Sequence, residues 1–234
     1  MQMNKLMRML LLLLFFLAFS FCLFQINQSS ISANSYVRCK DQTLILDAGH
    51  GGEDGGAVSV SGVPESGINL SIVLKMDQFA GLYGVHTLLI RTSDTSIADS
   101  TAQTLREKKR SDLYNRVAIV NQTKGAVLIS VHQNNHPQKS AHGAQVFFHS
   151  DQDSQAWAQA TQALIQTTLG GENQRQATLI SKQVYLMNHI NCQAILVECG
   201  FLSNTEEDQL LQSDGYQSKI AAILMSSYLN HLPN

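Results

Sequence analysis

The sequence predicts a three-layer α/β domain in which helices cover both faces of a mostly parallel β-sheet. Short apolar runs, such as residues 44–46 and 194–197, alternate along the chain with longer segments whose apolar residues recur at helical spacing. Several of the short runs are apolar without a break, which is typical of strands buried on both faces of a sheet. With 234 residues, the chain is long enough for one well-packed domain and short for two.

Three strands and two helices are predicted in the first part of this domain. The apolar run at residues 44–46 predicts the first strand, over residues 43–46. Apolar residues three or four positions apart predict a helix over residues 69–83, and Gly84 ends it. The other segments of this part are a glycine-rich loop over 48–67, a strand over 86–90, a polar irregular segment over 92–109, a helix over 111–122 and a strand over 126–130.

The second part continues the alternation of strands and helices. A helix over residues 152–168 ends at the pair Gly170-Gly171. Ile220, Leu224 and Tyr228 face inward from a closing helix over residues 216–232. The remaining predicted elements are strands over 144–149, 184–187 and 193–197 and a helix over 206–212.

Polar residues with useful chemistry stand where three of the strands end. His50 follows the first strand within a run of glycines, His132 follows the third, and Glu198 ends the strand near the C-terminus. Because the carboxyl ends of parallel strands meet at one edge of a sheet, we expect these three side chains to lie close together. Glu65 lies in the loop after His50 and is close enough along the chain to fold back over it.

Two histidines and a carboxylate form a good zinc site, and three protein ligands leave a position open for water. A further carboxylate beside that water can take its proton as it attacks a carbonyl group and return the proton to a leaving amine. A lone histidine at a strand end is more often a surface residue that only makes hydrogen bonds, so the combination carries the argument. His136 and His142 are expected in the loop that walls the site, where either can contact substrate.

The N-terminus predicts a membrane segment. Lys5 and Arg8 precede a charge-free apolar run over residues 9–24, so residues 1–26 are interpreted as an uncleaved anchor or a cleaved signal peptide. No clean small-x-small cleavage site is present, which favours the anchor. The positive residues place the N-terminus in the cytoplasm and the folded domain outside. Residues 27–42 form a polar tether, and residues 43–234 form the folded domain.

Charge and cysteine content bear on nucleic-acid binding, on zinc knuckles and on disulfides. The net charge of −2 gives no electrostatic basis for binding nucleic acid. Four cysteines are present but no Cys-x-x-Cys pair, which excludes a zinc knuckle built on one. Cys39 and Cys192 each precede a predicted strand, so in an exported protein they form either a disulfide or two free thiols.

The chain resembles the zinc-dependent N-acetylmuramoyl-L-alanine amidases of the type 3 amidase family, over about Leu44 to Leu232. The ordered set of motifs is specific, although no single motif is. The motifs that carry the resemblance are residues 46–52, Glu65 with residues 68–70, and residues 91–94, 113–116, 130–134 and 197–204. One apolar N-terminal segment followed by one catalytic domain looks most like the spore-cortex, germination-specific amidases.

The resemblance implies a role for each candidate residue. The family's zinc ligands match His50, Glu65 and His132, and its catalytic acid/base matches Glu198. Asn134 is a candidate for orienting substrate, and backbone amides of the loop over residues 49–52 are candidates for stabilising an oxyanion. The departures are mild, since Ala48 replaces the usual Pro, Ser66-Gly67 replaces Lys-Asp, and Gln133 replaces a small or apolar residue.

The implied function is hydrolysis of the amide between the N-acetylmuramic acid lactyl group and L-alanine of the stem peptide in peptidoglycan. Zinc-activated water is the expected nucleophile. The alternatives are a zinc peptidase acting on stem peptides and a non-catalytic wall-binding regulator. The enzyme is expected outside the cytoplasm, held at the membrane by its N-terminal helix or secreted after signal cleavage, and the sequence identifies no activator protein.

Overall fold

The computed structural model describes residues 41–170 and 173–232, together with Phe16. Within these residues a six-stranded sheet has the order β2-β1-β3-β6-β4-β5. The strands are β1 (Thr43–Ala48), β2 (Thr87–Leu89), β3 (Ala126–Asn134), β4 (Gln145–Phe148), β5 (Thr178–Leu179) and β6 (Gln193–Phe201). The helices are α1 (Glu65–Leu82), α2 (Leu105–Gln122), α3 (Gln152–Leu169), α4 (Tyr185–His189), α5 (Thr205–Leu211) and α6 (Asp214–His231).

The sheet is mostly parallel, as predicted. β1, β2, β3 and β6 pair in parallel, and only the pairing of β4 with β6 is antiparallel. The parallel pairing aligns β1 with β3 from Thr43 opposite Ala126 to Ala48 opposite Val131. It also places His132 of β3 directly opposite Glu198 of β6. The carboxyl ends of the three central strands therefore lie side by side at one edge of the sheet.

Alternate side chains of the central strands enter two separate hydrophobic cores. Leu44 and Leu46 of β1 pack on one face, in a core that includes residues of α1, α3 and α6. Ile45 of β1 packs on the other face, in a core that includes residues of α2 and α4. The unbroken apolar strands are explained by this burial on both sides, and the predicted three-layer α/β class is confirmed.

Two helices begin earlier than predicted. α2 begins at Leu105, six residues before the predicted start, because Thr104 and Glu107 form a reciprocal capping box at its N-terminus. α1 begins at Glu65, four residues early, after Pro64, whose side chain makes no capping hydrogen bond. The predicted loop is shorter as a result, and Glu65 belongs to the first turn of a helix rather than to the loop.

The strand predicted over residues 184–187 is wrong. These residues lead into the short helix α4, whose Leu186 and Met187 are buried in the core beneath it. A run of four apolar residues is compatible with a strand or with a buried turn of helix, so its length does not decide between them. The two-residue strand β5 was not predicted, and β3 and β6 each extend four residues beyond their predicted ends.

The predicted anchor over residues 1–26 and all but the last two residues of the predicted tether lie outside the described range, apart from Phe16. No helix in the described part of the chain is both long and apolar enough to cross a membrane. Cys39 also lies outside this range, so the two alternatives, a disulfide with Cys192 or two free thiols, both stay open.

Candidate metal centre

The two candidate histidines meet at the carboxyl edge of the sheet. His50 lies two residues after the end of β1 at Ala48. His132 lies inside β3, which continues to Asn134. Their ring centroids are 5.0 Å apart and their planes are nearly perpendicular, at 77°. The predicted meeting of residues that are 82 positions apart in sequence is therefore observed in the fold.

Glu65 joins the two histidines from the start of α1. Its Oε1 atom lies 3.0 Å from Nε2 of His50 and 3.2 Å from Nδ1 of His132. Its Oε2 atom accepts a hydrogen bond of 2.9 Å from the backbone N–H of Ala57, and the residue is only 3% exposed. One donor atom from each of His50, Glu65 and His132 lies within 4.8 Å of the others.

This donor set suits a catalytic zinc ion. Two imidazole nitrogens and one carboxylate oxygen are ligands that zinc binds at sites with an open position. Burial disfavours charge here, yet hydrogen bonds to Asp54 and Glu65 outweigh it and raise the pKa of His50 to about 9. Burial likewise opposes ionisation of Glu65, but hydrogen bonds from His132 and His50 lower its pKa to about 2. The site is thus organised to hold positive charge beside its carboxylates.

The backbone at His50 adopts an unusual conformation. His50 has φ of 61°, and it is the only residue other than glycine with positive φ in the described ranges. Strained backbone of this kind persists only where surrounding contacts enforce it, and such positions concentrate at functional sites. Gly51 and Gly52 continue the same turn at φ of 139° and 60°, so the sequence His-Gly-Gly supplies the flexibility that the turn requires.

Two buried arginines, Arg91 and Arg116, donate hydrogen bonds to the backbone of this turn. Arg91 donates hydrogen bonds to the carbonyl oxygens of Ala48 at 2.8 Å and Gly49 at 3.0 Å. Arg116 donates to the carbonyl oxygens of Ala48 at 3.0 Å and His50 at 2.8 Å. The three successive carbonyl groups of residues 48–50 are therefore fixed by two guanidinium groups, each of which donates two hydrogen bonds to this segment.

The charge of Arg116 is balanced inside the protein. Asp47 and Asp112 both form ion pairs with it, and Ser130 donates a 2.6 Å hydrogen bond to Asp47. Burial opposes ionisation of Asp47, but Arg116 and Ser130 hold its pKa below the usual range. Breaking such a buried pair leaves an uncompensated charge, so this network stabilises the base of the site only as a complete unit.

Close approach of the backbone explains two glycines. A Cβ atom at Gly49 would lie 2.2 Å from the ring of His132. A Cβ atom at Gly56 would lie 2.4 Å from Cγ of Glu65 and 2.8 Å from the His50 ring. Only glycine leaves room for the three candidate ligands to converge at these positions.

Asp54 is a further candidate residue of the site that the sequence analysis did not identify. Its Oδ2 atom lies 3.0 Å from Nδ1 of His50, and its Oδ1 atom lies 2.7 Å from Nζ of Lys109. A carboxylate bound to the second nitrogen of a metal-binding histidine fixes the orientation of the ring. The available sequence signal was an acidic residue four positions after a histidine in a glycine-rich turn.

Replacing Asp54 with Asn is expected to weaken zinc affinity about 10- to 100-fold, because the ring of His50 loses its charged partner. Titration with a competing chelator, read by zinc-sensitive dye, measures the effect. Asp99→Asn is a matched control, since Asp99 accepts hydrogen bonds from α2 at an exposed position and does not contact the histidines. Equal zinc affinity in Asp54→Asn and Asp99→Asn would remove Asp54 from the site.

Glu198 stands beside the three candidate ligands and bonds to none of them. It faces His132 across the pairing of β3 with β6. Its Oε2 atom is buried without a hydrogen-bond partner among the described residues. Burial raises the pKa of Glu198 to about 7. The nearby charges of His132 and His50 lower this pKa, but they do not offset burial, and the charge of Glu65 raises the pKa further. A carboxyl group that titrates near neutral pH suits both the uptake and the return of a proton.

A cavity of about 260 Å³ opens onto this cluster. His50, His132 and Glu198 line it, together with Tyr185 and Leu186 of α4. A second cavity of about 510 Å³ borders His50 and Asp54 on the side of residues 94–105. The arrangement provides a half-buried carboxyl side chain with one fully buried oxygen, a candidate metal-binding cluster, and space for a substrate on two sides of His50.

The other candidate residues lie away from this cavity. Asn134 ends β3, where its carbonyl oxygen accepts a hydrogen bond from Leu202, and it does not line either cavity. His136 and His142, which were expected to wall the site, also line neither cavity, and His142 instead borders a separate cavity with Arg175. The loop that contains them instead contacts residues that follow β6, where the N–H of His136 donates a 3.0 Å hydrogen bond to Ser203, and the sequence pattern did not indicate this contact.

The proposed amides for an oxyanion are already in use. The N–H of Gly49 donates to Val131 at 3.0 Å, and that of Gly51 donates to Asp54 at 2.8 Å. The N–H of Gly52 donates to the side chain of Asp94 at 3.2 Å. The glycine amides of this loop therefore build the turn, and the expectation that they stabilise an oxyanion is wrong for these three groups.

Comparison with known proteins gives a consistent set of similarities. The family model for N-acetylmuramoyl-L-alanine amidases matches residues 44–227. The germination-specific N-acetylmuramoyl-L-alanine amidase of Bacillus subtilis is 30% identical over 189 residues, which cover 80% of this chain and 78% of that protein. The amidase AmiA of Salmonella typhimurium is 25% identical, over 80% of this chain and 75% of that protein. The CwlD amidase of Clostridioides difficile, solved in complex with the GerS lipoprotein, superposes with a TM-score of 0.78 at 34% identity, over 81% of this chain and 98% of that one.

Proposed function

Because the chain belongs to the N-acetylmuramoyl-L-alanine amidase family, we propose that His50, Glu65 and His132 hold a catalytic zinc ion beside the acid/base Glu198. Family membership confirms the resemblance derived from the motifs, including its likeness to germination-specific amidases. The chain is a peptidoglycan amidase, and its reaction is cleavage of the amide between N-acetylmuramic acid and L-alanine. The zinc ion, the residue roles and the cellular location are the parts that we propose.

One observation carries the assignment of roles. Three donor atoms converge within 4.8 Å, while the carboxyl group of Glu198, across the strand pairing from His132, bonds to none of them. Glu65 is positioned as a ligand because it reaches both histidines and is anchored by Ala57. Glu198 is positioned as a proton carrier because one of its carboxyl oxygens is buried without a hydrogen-bond partner among the described residues and its pKa is raised to about 7.

The residues of this chain supply the proton transfers. When bound, zinc polarises the scissile carbonyl group and lowers the pKa of water. Glu198 takes the proton from the attacking water and delivers it to the nitrogen of L-alanine as the carbon–nitrogen bond breaks. The carboxyl group is ionised again after that delivery, so a single residue serves as base and then as acid.

Product analysis of defined muropeptides tests this proposal. We expect digestion to release intact stem peptides that begin with L-alanine, and a chelator to stop the digestion until zinc is added back. Release of shortened peptides would identify a stem-peptide peptidase instead. Peptidoglycan binding without any product would identify a non-catalytic wall-binding regulator. Undiminished cleavage after complete removal of zinc would contradict the proposed metal.

We propose further that residues 1–26 anchor the enzyme to the outer side of the cytoplasmic membrane. The support is the charge-free apolar run over residues 9–24, preceded by Lys5 and Arg8. N-terminal sequencing of the membrane-extracted protein should find the segment present, whereas a soluble protein starting near Asn34 would indicate signal cleavage.

A further inference from the structure

Two buried amide side chains lead from β3 to the carboxylate of Glu65. Asn69 lies one helical turn after Glu65 in α1. Its Nδ2 atom donates to Oε1 of Glu65 at 3.4 Å and to the carbonyl oxygen of Gly49 at 3.2 Å. Gln133 of β3 donates from Nε2 to Oδ1 of Asn69 at 3.0 Å. Both amide side chains are buried, so water does not replace these hydrogen bonds.

These hydrogen bonds leave the amide of Asn69 a single orientation. The ionised carboxylate of Glu65 and the carbonyl group of Gly49 can only accept hydrogen bonds, so the Nδ2 atom of Asn69 must face them. The Oδ1 atom of Asn69 then points the other way, and in a buried position it needs a donor. Gln133 supplies that donor and so fixes the orientation in which Asn69 contacts Glu65.

Gln133 stands on a face of β3 that is otherwise apolar. Alternate residues of this strand over positions 127–131 are apolar and belong to the core that includes residues of α1. Burial of an amide at the next position on this face is favourable only where the amide finds hydrogen-bond partners. The preceding residue, His132, lies 3.2 Å from the same Oε1 atom of Glu65. Two successive residues of β3 therefore act on one carboxylate, the first directly and the second through Asn69.

We propose that Gln133 and Asn69 are positioning residues for Glu65 as a zinc ligand. The N–H of Ala57 holds the Oε2 atom of Glu65, and Asn69 holds its Oε1 atom, so both oxygens have fixed places. Groups that hydrogen-bond to a metal-binding side chain commonly contribute about 10- to 100-fold to metal affinity. The inference rests on the proposed metal site and adds the residues that keep its carboxylate aimed between the two histidines.

Gln133→Met is expected to weaken zinc affinity about 10- to 100-fold. Met has about the length of Gln but no N–H group, so Oδ1 of Asn69 loses its donor and Asn69 no longer holds Glu65 in place. Titration with a competing chelator measures the affinity, and thermal unfolding of the metal-free protein measures stability. In an Asn69→Ala background, Gln133→Met should change zinc affinity by less than about twofold, because the group through which Gln133 acts is already absent.

Gln162→Met is the matched control. Gln162 is also a buried amide, and it donates to the carbonyl oxygen of Ala144 and accepts from the N–H of Val146. The substitution removes two buried hydrogen bonds that do not involve the candidate ligands. It should therefore lower the melting temperature and leave zinc affinity unchanged. A loss of affinity as large as that in Gln133→Met would show that general destabilisation explains both results and would overturn the positioning role.

The outcomes are distinct for the positioning residues and for the metal site itself. Zinc binding by the wild type and its loss in His50→Ala test the metal site without reference to Gln133. If these two results hold, wild-type affinity in folded Gln133→Met would overturn the positioning role, and so would an undiminished further loss in the Asn69→Ala background. Gln133→Leu repeats the test if Gln133→Met does not fold. Failure of both variants to fold would assign Gln133 to stability alone and also overturn the proposal.

Discussion

Glu198→Gln is expected to slow amide hydrolysis by about 10²–10⁴-fold, at the upper end of this range, while zinc content and melting temperature stay unchanged. The amide side chain of Gln has nearly the size of a carboxyl group but cannot accept and return a proton. Since Glu198 is proposed to serve both proton transfers, the substitution removes both. The side chain is half-buried opposite His132 and bonds to no candidate ligand, so its neutral replacement leaves the metal cluster intact.

Three measurements on the purified protein check this result. Zinc content by elemental analysis, thermal unfolding and the rate of amide hydrolysis are needed for the same preparation. Glu206→Gln is the matched control, because Glu206 is an exposed carboxylate in the first turn of α5. A surface carboxylate at position 198 would behave like Glu206, and a rate near that of the wild type for Glu198→Gln would show that another group moves the proton.

His50→Ala is expected to lose both bound zinc and turnover, with zinc affinity falling by more than about 100-fold. Removal of a group that merely orients a ligand already costs about 10- to 100-fold, and removal of the ligand itself should cost more. Two remaining protein ligands rarely hold a catalytic metal. His86→Ala is the control, since His86 is an exposed histidine before β2.

The comparison of Glu65→Gln with Glu198→Gln separates the two carboxylates. Glu65→Gln should lose zinc and activity together, because Glu65 contacts both histidines, whereas Glu198→Gln should lose activity alone. Full zinc content in His50→Ala would remove His50 from the ligand set. If Glu198→Gln sheds zinc while Glu65→Gln keeps it, the two assignments must be exchanged.

The strands that position the site could be predicted because local sequence determines them. The apolar runs that become β1, β3 and β6 carry their own signal, and parallel pairing then requires their carboxyl ends to meet. The approach of His50, His132 and Glu198 followed from that topology alone. The structure adds the register, in which His132 and Glu198 face each other.

The start of α1 could not be predicted from local signals. Pro64 precedes the helix without a side-chain cap, and Ser66-Gly67 in its first turn resembles loop sequence. The first turn is specified instead by distant contacts, such as the hydrogen bond of Arg91 to the carbonyl oxygen of Ser66 at 2.7 Å. Glu65 was therefore selected correctly as a candidate residue but assigned to the wrong kind of element.

The partners of Arg91, Arg116 and Asp54 were also hidden from sequence reasoning. Arg116 bonds to the carbonyl oxygen of Ala48 across 68 positions, and no periodic pattern records such a contact. The path of the loop from His50 to Asp54 depends on a positive φ that His50 adopts against its own preference. Arg91 and Arg116 stand within the motifs and Asp54 does not, whereas the contacts of all three residues became apparent only in the folded chain.

The arginine contacts to the backbone around His50 bear on whether the protein needs its metal in order to fold. In small zinc-dependent domains the metal is needed for folding, because nothing else holds the ligands together. Here guanidinium groups from two other parts of the chain fix the carbonyl groups at positions 48–50 through protein contacts alone. The metal-free protein is therefore expected to fold with this segment already in place, so that folding and metal binding are separate steps.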